Sequence, residues 1–552
     1  MRYINQKRLL YVYIFIILLT SFIFFRLYTI ALSDFGVILP ALNNQHSRSI
    51  NIAERRGFIF DRNGEIIAGT PGLYNTLIDP SKIGLDAPET IYCVAEHISY
   101  ISDICDEYIL SRLKGGVPFI IQTRDSLDSS YASSFLTHRR NSCITAVHIL
   151  GYLNYNRQGA TGLESVYNNF LEDTGARVFG VFNADAINRS LRSEPIRTVD
   201  TGYANKTGLG LTIDWRLQEK IERIADEHLD IGAILIADIK TGEILASVSR
   251  PVFSLDNLAY YINSERGEFI NRAFASFTPG SVFKTIIAAA ALEMYPGYLD
   301  FIYNCEGVID VFGQRFRCNR LWGHGELCMT EAYAESCNPY FMALALKIGY
   351  NEIYSMSRNL GIGEFSSLDG LNVSRGNIPH ILNPPPALVA NTAIGQGELL
   401  ITPLEATRIF AAIANGGIMP ELSLVQSLIF ENRTADLRNR ESRRVLSART
   451  VYYLNNMARE VVSNGTGTSA EPAHSTAAGK TSSAESGQFI YIKDNDGELT
   501  REQVIHSWFA GYYPAYYPRY AITVIAEGGV NHDVHSAAIF RKICEYLGES
   551  LD

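Results

Sequence analysis

Residues 279–292 read Pro279-Gly280-Ser281-Val282-Phe283-Lys284-Thr285-Ile286-Ile287-Ala288-Ala289-Ala290-Ala291-Leu292. The Pro-Gly pair ends one element, and the apolar run behind it predicts a buried helix that opens at Ser281. A serine at a helix start lies at the positive end of the helix dipole, and a lysine three residues on shares its face. Hydroxyl and amine can then touch. A serine hydroxyl is a weak nucleophile until a neighbour takes its proton, which a lysine can do once burial lowers its pKa. Spacing alone is a weak guide, because Ser111-Arg112-Leu113-Lys114 repeats it. That copy sits in a charged stretch without the Pro-Gly entry and runs into Gly115-Gly116, so it reads as a solvated helix end.

Two further stretches carry chemistry-bearing side chains. Ser336-Cys337-Asn338 follows a helical pattern over 329–335, and two small polar residues two apart can face a cleft from a short loop, one relaying protons and the other bonding a substrate carbonyl. By itself such a loop is more often a cap or turn. Ala477-Ala478-Gly479-Lys480-Thr481-Ser482-Ser483-Ala484-Glu485 sets one lysine among small residues on an expected strand. Small side chains let a substrate backbone approach the strand, and the cation and hydroxyl can hold a carboxylate. Lys206-Thr207-Gly208 and Lys240-Thr241-Gly242 read instead as a connector and a hairpin turn.

The chain has 552 residues, 47% hydrophobic and 19% charged, with no long low-complexity tract, which predicts a folded protein of several domains. A net charge of −10 argues against nucleic acid as the main partner. The 31 tyrosines read as ordinary core and surface residues. After Arg2, Lys7 and Arg8, an apolar run from Leu9 to Phe25 is broken only by Thr20 and Ser21. At ~1.5 Å per residue it spans about 25 Å, and Leu27 to Leu32 complete a hydrocarbon core of ~30 Å. A single membrane span with a cytoplasmic N-terminus follows from the preceding positive charges, with a cleaved signal peptide as the alternative. The expected organisation is a cytoplasmic tail (1–8), a transmembrane anchor (9–32), a polar stalk (33–50), an accessory mixed domain (51–205) and a second unit (206–552). Asp61-Arg62-Asn63-Gly64 predicts a hairpin turn, Asp214 caps a helix carrying Leu217, Ile221, Ile224 and Ala225, and residues 232–249 read as strand, turn and strand. The overall class is α+β.

Taken in order, the Ser281–Lys284, Ser336–Asn338 and Lys480–Ser483 elements resemble the motif set of penicillin-binding proteins and serine β-lactamases. His148-Ile149-Leu150-Gly151-Tyr152, Gly162-Leu163-Glu164, Asn271-Arg272-Ala273, Gly395-Gln396-Gly397 and Trp508-Phe509-Ala510-Gly511 look like class B penicillin-binding proteins, and the likeness runs from the anchor onward. It implies a pedestal domain and a transpeptidase domain whose antiparallel sheet lies between helical lobes. It also implies that Ser281 attacks the D-alanyl-D-alanine stem peptide, releases D-alanine and passes the acyl group to an amine, cross-linking peptidoglycan. Lys284 is then the base, Ser336 and Asn338 relay protons and align the peptide, and Lys480 and Thr481 hold the terminal carboxylate. Ser482 and Ser483 line the substrate edge, and the backbone N–H groups of Ser281 and Ser483 form the oxyanion hole. The implied partners are stem peptides, β-lactams, the membrane and a polytopic glycosyltransferase, since residues before 205 do not resemble a polymerase. The likeness leaves open elongation, division or sporulation as the role. Two positions depart from the family pattern. Cys337 is expected to point away from the cleft, and Ser482 stands where the family usually has glycine, so an altered penicillin affinity is expected.

No cofactor is expected for this chemistry, and no catalytic metal. Of the eight cysteines, Cys305 and Cys318 flank a turn and could pair in an exported chain. Cys305, Cys318, His324 and Cys328 form a candidate zinc set, against a disulfide or free thiols as the alternative. Rival functions are a β-lactamase or D,D-carboxypeptidase on the same fold, and a non-catalytic scaffold or β-lactam sensor.

Overall fold

The computed structural model describes residues 2–32, 47–83, 88–139, 145–191, 194–438, 441–493, 499–529 and 536–549. The first element is a helix over Arg2–Leu32. Its segment Lys7–Thr29 is, among the described residues, the one helix long and apolar enough to cross a membrane. One of the two polar residues in its apolar run is satisfied internally: the Thr20 hydroxyl donates to Ile16 O at 2.9 Å. The expected stalk lies mostly outside the described residues, and its last four residues, 47–50, belong instead to the strand Ser47–Arg55.

Two compact units follow from the chain's packing. One comprises Met1–Arg55, Pro71–His138 and Gly175–Asn205; the other comprises Arg56–Thr70, Arg139–Thr174 and Lys206–Asp552. The single boundary drawn in the sequence at 205/206 is thus one of several crossings, because stretches 56–70 and 139–174 pack with the C-terminal unit. The first unit holds the antiparallel sheet Ser47–Arg55, Ala176–Asn183 and Arg197–Asp200, and a second sheet of Phe119–Thr123, Thr70–Ile78 and Ala132–Arg139. Helices Pro88–Ser102 and Asp106–Gly115 bury Ile98, Ile109 and Leu113 with Ile78, Phe119 and Ile121 of the latter sheet.

The second unit is built on a five-stranded antiparallel sheet, ordered Ile244–Arg250, Gly232–Asp238, Tyr520–Gly529, Leu499–Tyr513 and Ala478–Lys493. Strand alternation assigns its side chains to two cores. Ala233, Leu235 and Ala237 face a core that includes Phe283, Ile286 and Phe410 from the helices Lys284–Met294 and Pro403–Ala414 and the turn before the former. Ile234 and Ile236 face the other, with Ile221 and Ala225 of Trp215–His228 and Phe540 and Ile543 of Ser536–Glu549. The same period of two sends Trp508, Ala510 and Tyr512 to the first core and Phe509 and Tyr513 to the second. Phe509 and Phe540 pack with ring centroids 4.3 Å apart. The sheet therefore lies between helical layers. Asp214 caps its helix by accepting from Leu217 N at 3.1 Å, and Gly64 closes the 61–64 turn at φ +83°. A second sheet runs Thr434–Asp436, Val425–Ile429, Gly208–Leu211, Phe58–Phe60 and Ile66–Ala68.

Candidate active site

Ser281 sits in a 3-10 turn, Gly280–Phe283, that leads into the helix Lys284–Met294, so the α-helix begins three residues later than the sequence suggests. This turn needs glycine on both sides of a close approach. Gly280 (φ +53°) donates its N–H to Gly395 O at 3.0 Å, and a Cβ on Gly395 would fall 2.0 Å from Gly280 O. The Gly395-Gln396-Gly397 segment therefore buttresses the serine turn.

Lys284 is fully buried. Its ammonium donates to Ser336 O at 2.6 Å, Asn338 Oδ1 at 2.6 Å and Ser336 Oγ at 3.2 Å. Among the described residues, no hydrogen bond joins it to Ser281 Oγ; the lysine is turned toward the 336–338 loop. Desolvation lowers its pKa to about 7, offset in part by the nearby Cys337 and Cys318 sulfurs. Ser336 holds φ +55° between the helices Met329–Ala334 and Asn338–Ile348, and that left-handed kink turns both its hydroxyl and its carbonyl onto Lys284.

The edge strand Ala478–Lys493 forms the opposite wall. Lys480, fully buried, donates to Thr481 O at 3.1 Å and lies 5.6 Å over the Tyr333 ring. Burial, together with repulsion from Lys284, pushes its pKa well below the ordinary lysine value. Thr481 Oγ1 lies 2.6 Å from Thr466 Oγ1, and Ser482 Oγ accepts from Ser281 N at 2.7 Å.

These groups border one cleft of about 790 Å³. Ser281, Ser336, Asn338, Thr481, Ser482 and Ser483 line it, with Gln396, Arg315, Arg317 and Thr466. Lys284 and Lys480 lie beneath the surface rather than on it. Every residue singled out in the sequence for the acyl-transfer site thus reaches one place, whereas Lys206-Thr207-Gly208 and Lys240-Thr241-Gly242 lie outside the lining. The second of these is a turn, with the Asp238 carboxylate accepting from Lys240 N and Thr241 N at 2.9 Å and Gly242 at φ +76°. Two residues of the site were not singled out from the sequence: Thr466, which sits in a stretch rich in Gly, Ser and Thr, and Tyr333, which passes for a core aromatic on a helix. Arg315 and Arg317 were not singled out either, because their hairpin strand Gln314–Arg317 shows no periodicity distinguishing a cleft wall from a solvated edge.

Cys337 points away from the cleft, fully buried, with Sγ 4.0 Å from Cys318 Sγ. Cys318 Sγ lies 3.5 Å from His324 Nδ1, and the ligand atoms of Cys305, Cys318, His324 and Cys337 all fall within 4.8 Å of one another. The set expected from sequence is corrected at one member: Cys328 is the N-cap position of the helix Met329–Ala334, and Cys337 takes its place. The hydrogen bond with Cys337 pulls the Cys318 thiol below its ordinary pKa. All seven described cysteines are free thiols, Cys305 and Cys318 included. Three sulfurs and an imidazole at this spacing can hold a tetrahedral zinc ion.

Residues 232–545 match the family model described as the penicillin binding protein transpeptidase domain. This chain belongs to that family. Among relatives of the penicillin-binding transpeptidases, stage V sporulation protein D of Bacillus subtilis is 26% identical over 557 residues, spanning 95% of this chain and 82% of that protein. Peptidoglycan D,D-transpeptidase MrdA of Haemophilus influenzae is 25% identical over 99% of this chain and 92% of its own. In fold, the chain is similar to a penicillin-binding protein solved in complex with MreC from Helicobacter pylori, with TM-score 0.64 and 22% identity over 91% of this chain and 99% of that one. It is equally similar in fold to penicillin-binding protein 3 of Mycobacterium tuberculosis complexed with aztreonam, with TM-score 0.64 and 21% identity over 91% and 97% of the two chains.

Proposed function

We propose that this penicillin-binding family member is a peptidoglycan D,D-transpeptidase that works through an acyl-enzyme at Ser281. The observation that carries the reading is the approach of Lys284, Ser336 and Asn338 from one side of the cleft and Lys480 to Ser483 from the other, with Ser281 between them. The Ser281 hydroxyl attacks the carbonyl between the two terminal D-alanines, and its proton passes toward Lys284, whose lowered pKa leaves a neutral fraction near neutral pH. The amide C–N bond breaks, D-alanine leaves with a proton delivered through the Ser336 hydroxyl, and an ester to Ser281 remains. An acceptor amine then attacks the ester, forms the cross-linking amide and returns the proton to Ser281 Oγ. Lys480 and Thr481 take the terminal carboxylate, whose negative charge compensates the burial of the Lys480 ammonium.

The N-terminal helix supports a single-pass anchor with its basic end cytoplasmic and the two units outside, where the cell wall and β-lactams are. Names among the relatives and structural neighbours, covering transpeptidases, a sporulation protein and a complex with MreC, fit a role in a wall-building assembly. A polytopic glycosyltransferase is the partner that would supply polymerised glycan strands.

Labelling with a fluorescent penicillin tests the assignment. The wild-type protein is expected to form a covalent band that Ser281→Ala lacks; equal labelling of both, or none in a folded wild type, would defeat it. Separation of cross-linked dimers from hydrolysed monomers among the products decides between transpeptidase and carboxypeptidase.

A further inference from the structure

The backbone N–H of Ser281, in the nucleophile turn, is one of the two groups that the transpeptidase reading assigns to the oxyanion hole, and in this structure it is already taken. It donates to Ser482 Oγ at 2.7 Å. Ser482 is 5% exposed, lies in the cleft wall and rests over the serine turn, where a Cβ on Gly280 would come within 2.2 Å of the same oxygen. Only a glycine at 280 leaves room for it. Among the described residues, the Ser482 hydroxyl has no acceptor for its own hydrogen, so one accepted bond holds it in place.

An N–H has one axis. Two oxygens cannot both sit on it at hydrogen-bond distance, and the carbonyl oxygen of a bound acyl donor must be about 2.7–3.1 Å from the same nitrogen to be stabilised as it becomes an oxyanion. We propose that Ser482 is a gate on the oxyanion hole: its hydroxyl occupies the place of the carbonyl oxygen in the resting enzyme, and acylation requires it to swing aside. The inference rests on Ser281 being the nucleophile, and it identifies a specificity-determining residue that the chemistry does not otherwise need. An acyl donor held firmly by the remaining cleft contacts displaces the hydroxyl with its own binding, whereas a small β-lactam with few contacts does so poorly. The gate therefore discriminates against β-lactams more than against the stem peptide.

The test is the rate of acylation by a fluorescent penicillin, separated into noncovalent affinity and the first-order acylation step, for wild type, Ser482→Ala, Ser482→Gly and Ser281→Ala. Loss of one neutral hydrogen bond between Ser482 and the N–H predicts an acylation step about 3- to 10-fold faster in Ser482→Ala and Ser482→Gly, with the noncovalent affinity changed less. A step that is unchanged or slower in a folded Ser482→Ala overturns the gate, and a slower one would mark the hydroxyl as a donor to the oxyanion instead. Should the glycine variant fail to fold, the alanine variant, which deletes a single oxygen, decides alone. Labelling of Ser281→Ala would sink the nucleophile assignment and the gate with it, while a labelled wild type, an unlabelled Ser281→Ala and no acceleration in Ser482→Ala would sink the gate only.

Discussion

Lys284 is the residue whose environment matters most for the proposed chemistry. It is fully buried, and desolvation takes its pKa from 10.5 to about 7. A lowered pKa in a base makes its active, neutral form more abundant as pH rises, so the acylation rate of Ser281 is expected to climb through pH 7 and level off about one unit above it. The measurement is the pH profile of penicillin acylation, and a flat profile from about pH 5.5 to 8.5 would remove Lys284 from the base role. Lys284→Met, which keeps the volume and loses the amine, is expected to slow acylation by about 10²- to 10⁴-fold. At this scale Ser281, Lys284 and the 336–338 pair were legible in the sequence because each motif is local. The carbonyl of Ser336 as a partner for Lys284 was not, since backbone direction at a φ of +55° leaves no mark in residue type.

Among the elements, the stretch from Tyr303 to Cys337 does two jobs. Its hairpin Val308–Val311 and Gln314–Arg317 brings Arg315 and Arg317 to the cleft, and Cys305, Cys318 and Cys337 gather with His324. Cys337 belongs to both, placed between the two residues that receive the Lys284 ammonium. Protein purified without chelators is expected to carry about one zinc per chain, by atomic absorption, and Cys337→Ser or Cys305→Ser to carry none. A metal-free wild type with a full thermal transition would exclude the site. Three of the four residues that the fold gathers, Cys305, Cys318 and His324, are in the candidate set expected from the sequence. In sequence, Cys328 completes that set and Cys337 stands only as a departure within the 336–338 motif, whereas the fold uses Cys328 to begin a helix and turns Cys337 inward.

For the whole molecule, the N-terminal helix and the two units make separate statements. Protein that carries the N-terminal helix is expected to stay with membranes until detergent is added, and a chain lacking residues 2–32 to be released by a salt wash while still labelling with penicillin. Retention of the truncated chain in the membrane fraction would show another point of attachment. Composition, the apolar run at the start and the three short motifs were enough by themselves to point to an α+β protein with an N-terminal helix apolar enough to cross a membrane and a candidate serine acyl-transfer site. They could do so because hydrophobicity and helical spacing act over a few residues. The tertiary structure alone decided that stretches 56–70 and 139–174 pack with the C-terminal unit, that Thr466 and Tyr333 flank the 480–481 pair, and that Ser482 closes on the Ser281 amide. Each joins residues distant along the chain, and which distant residues meet is settled by how sheet and helices bury their faces together, a property of the folded whole that no local pattern encodes.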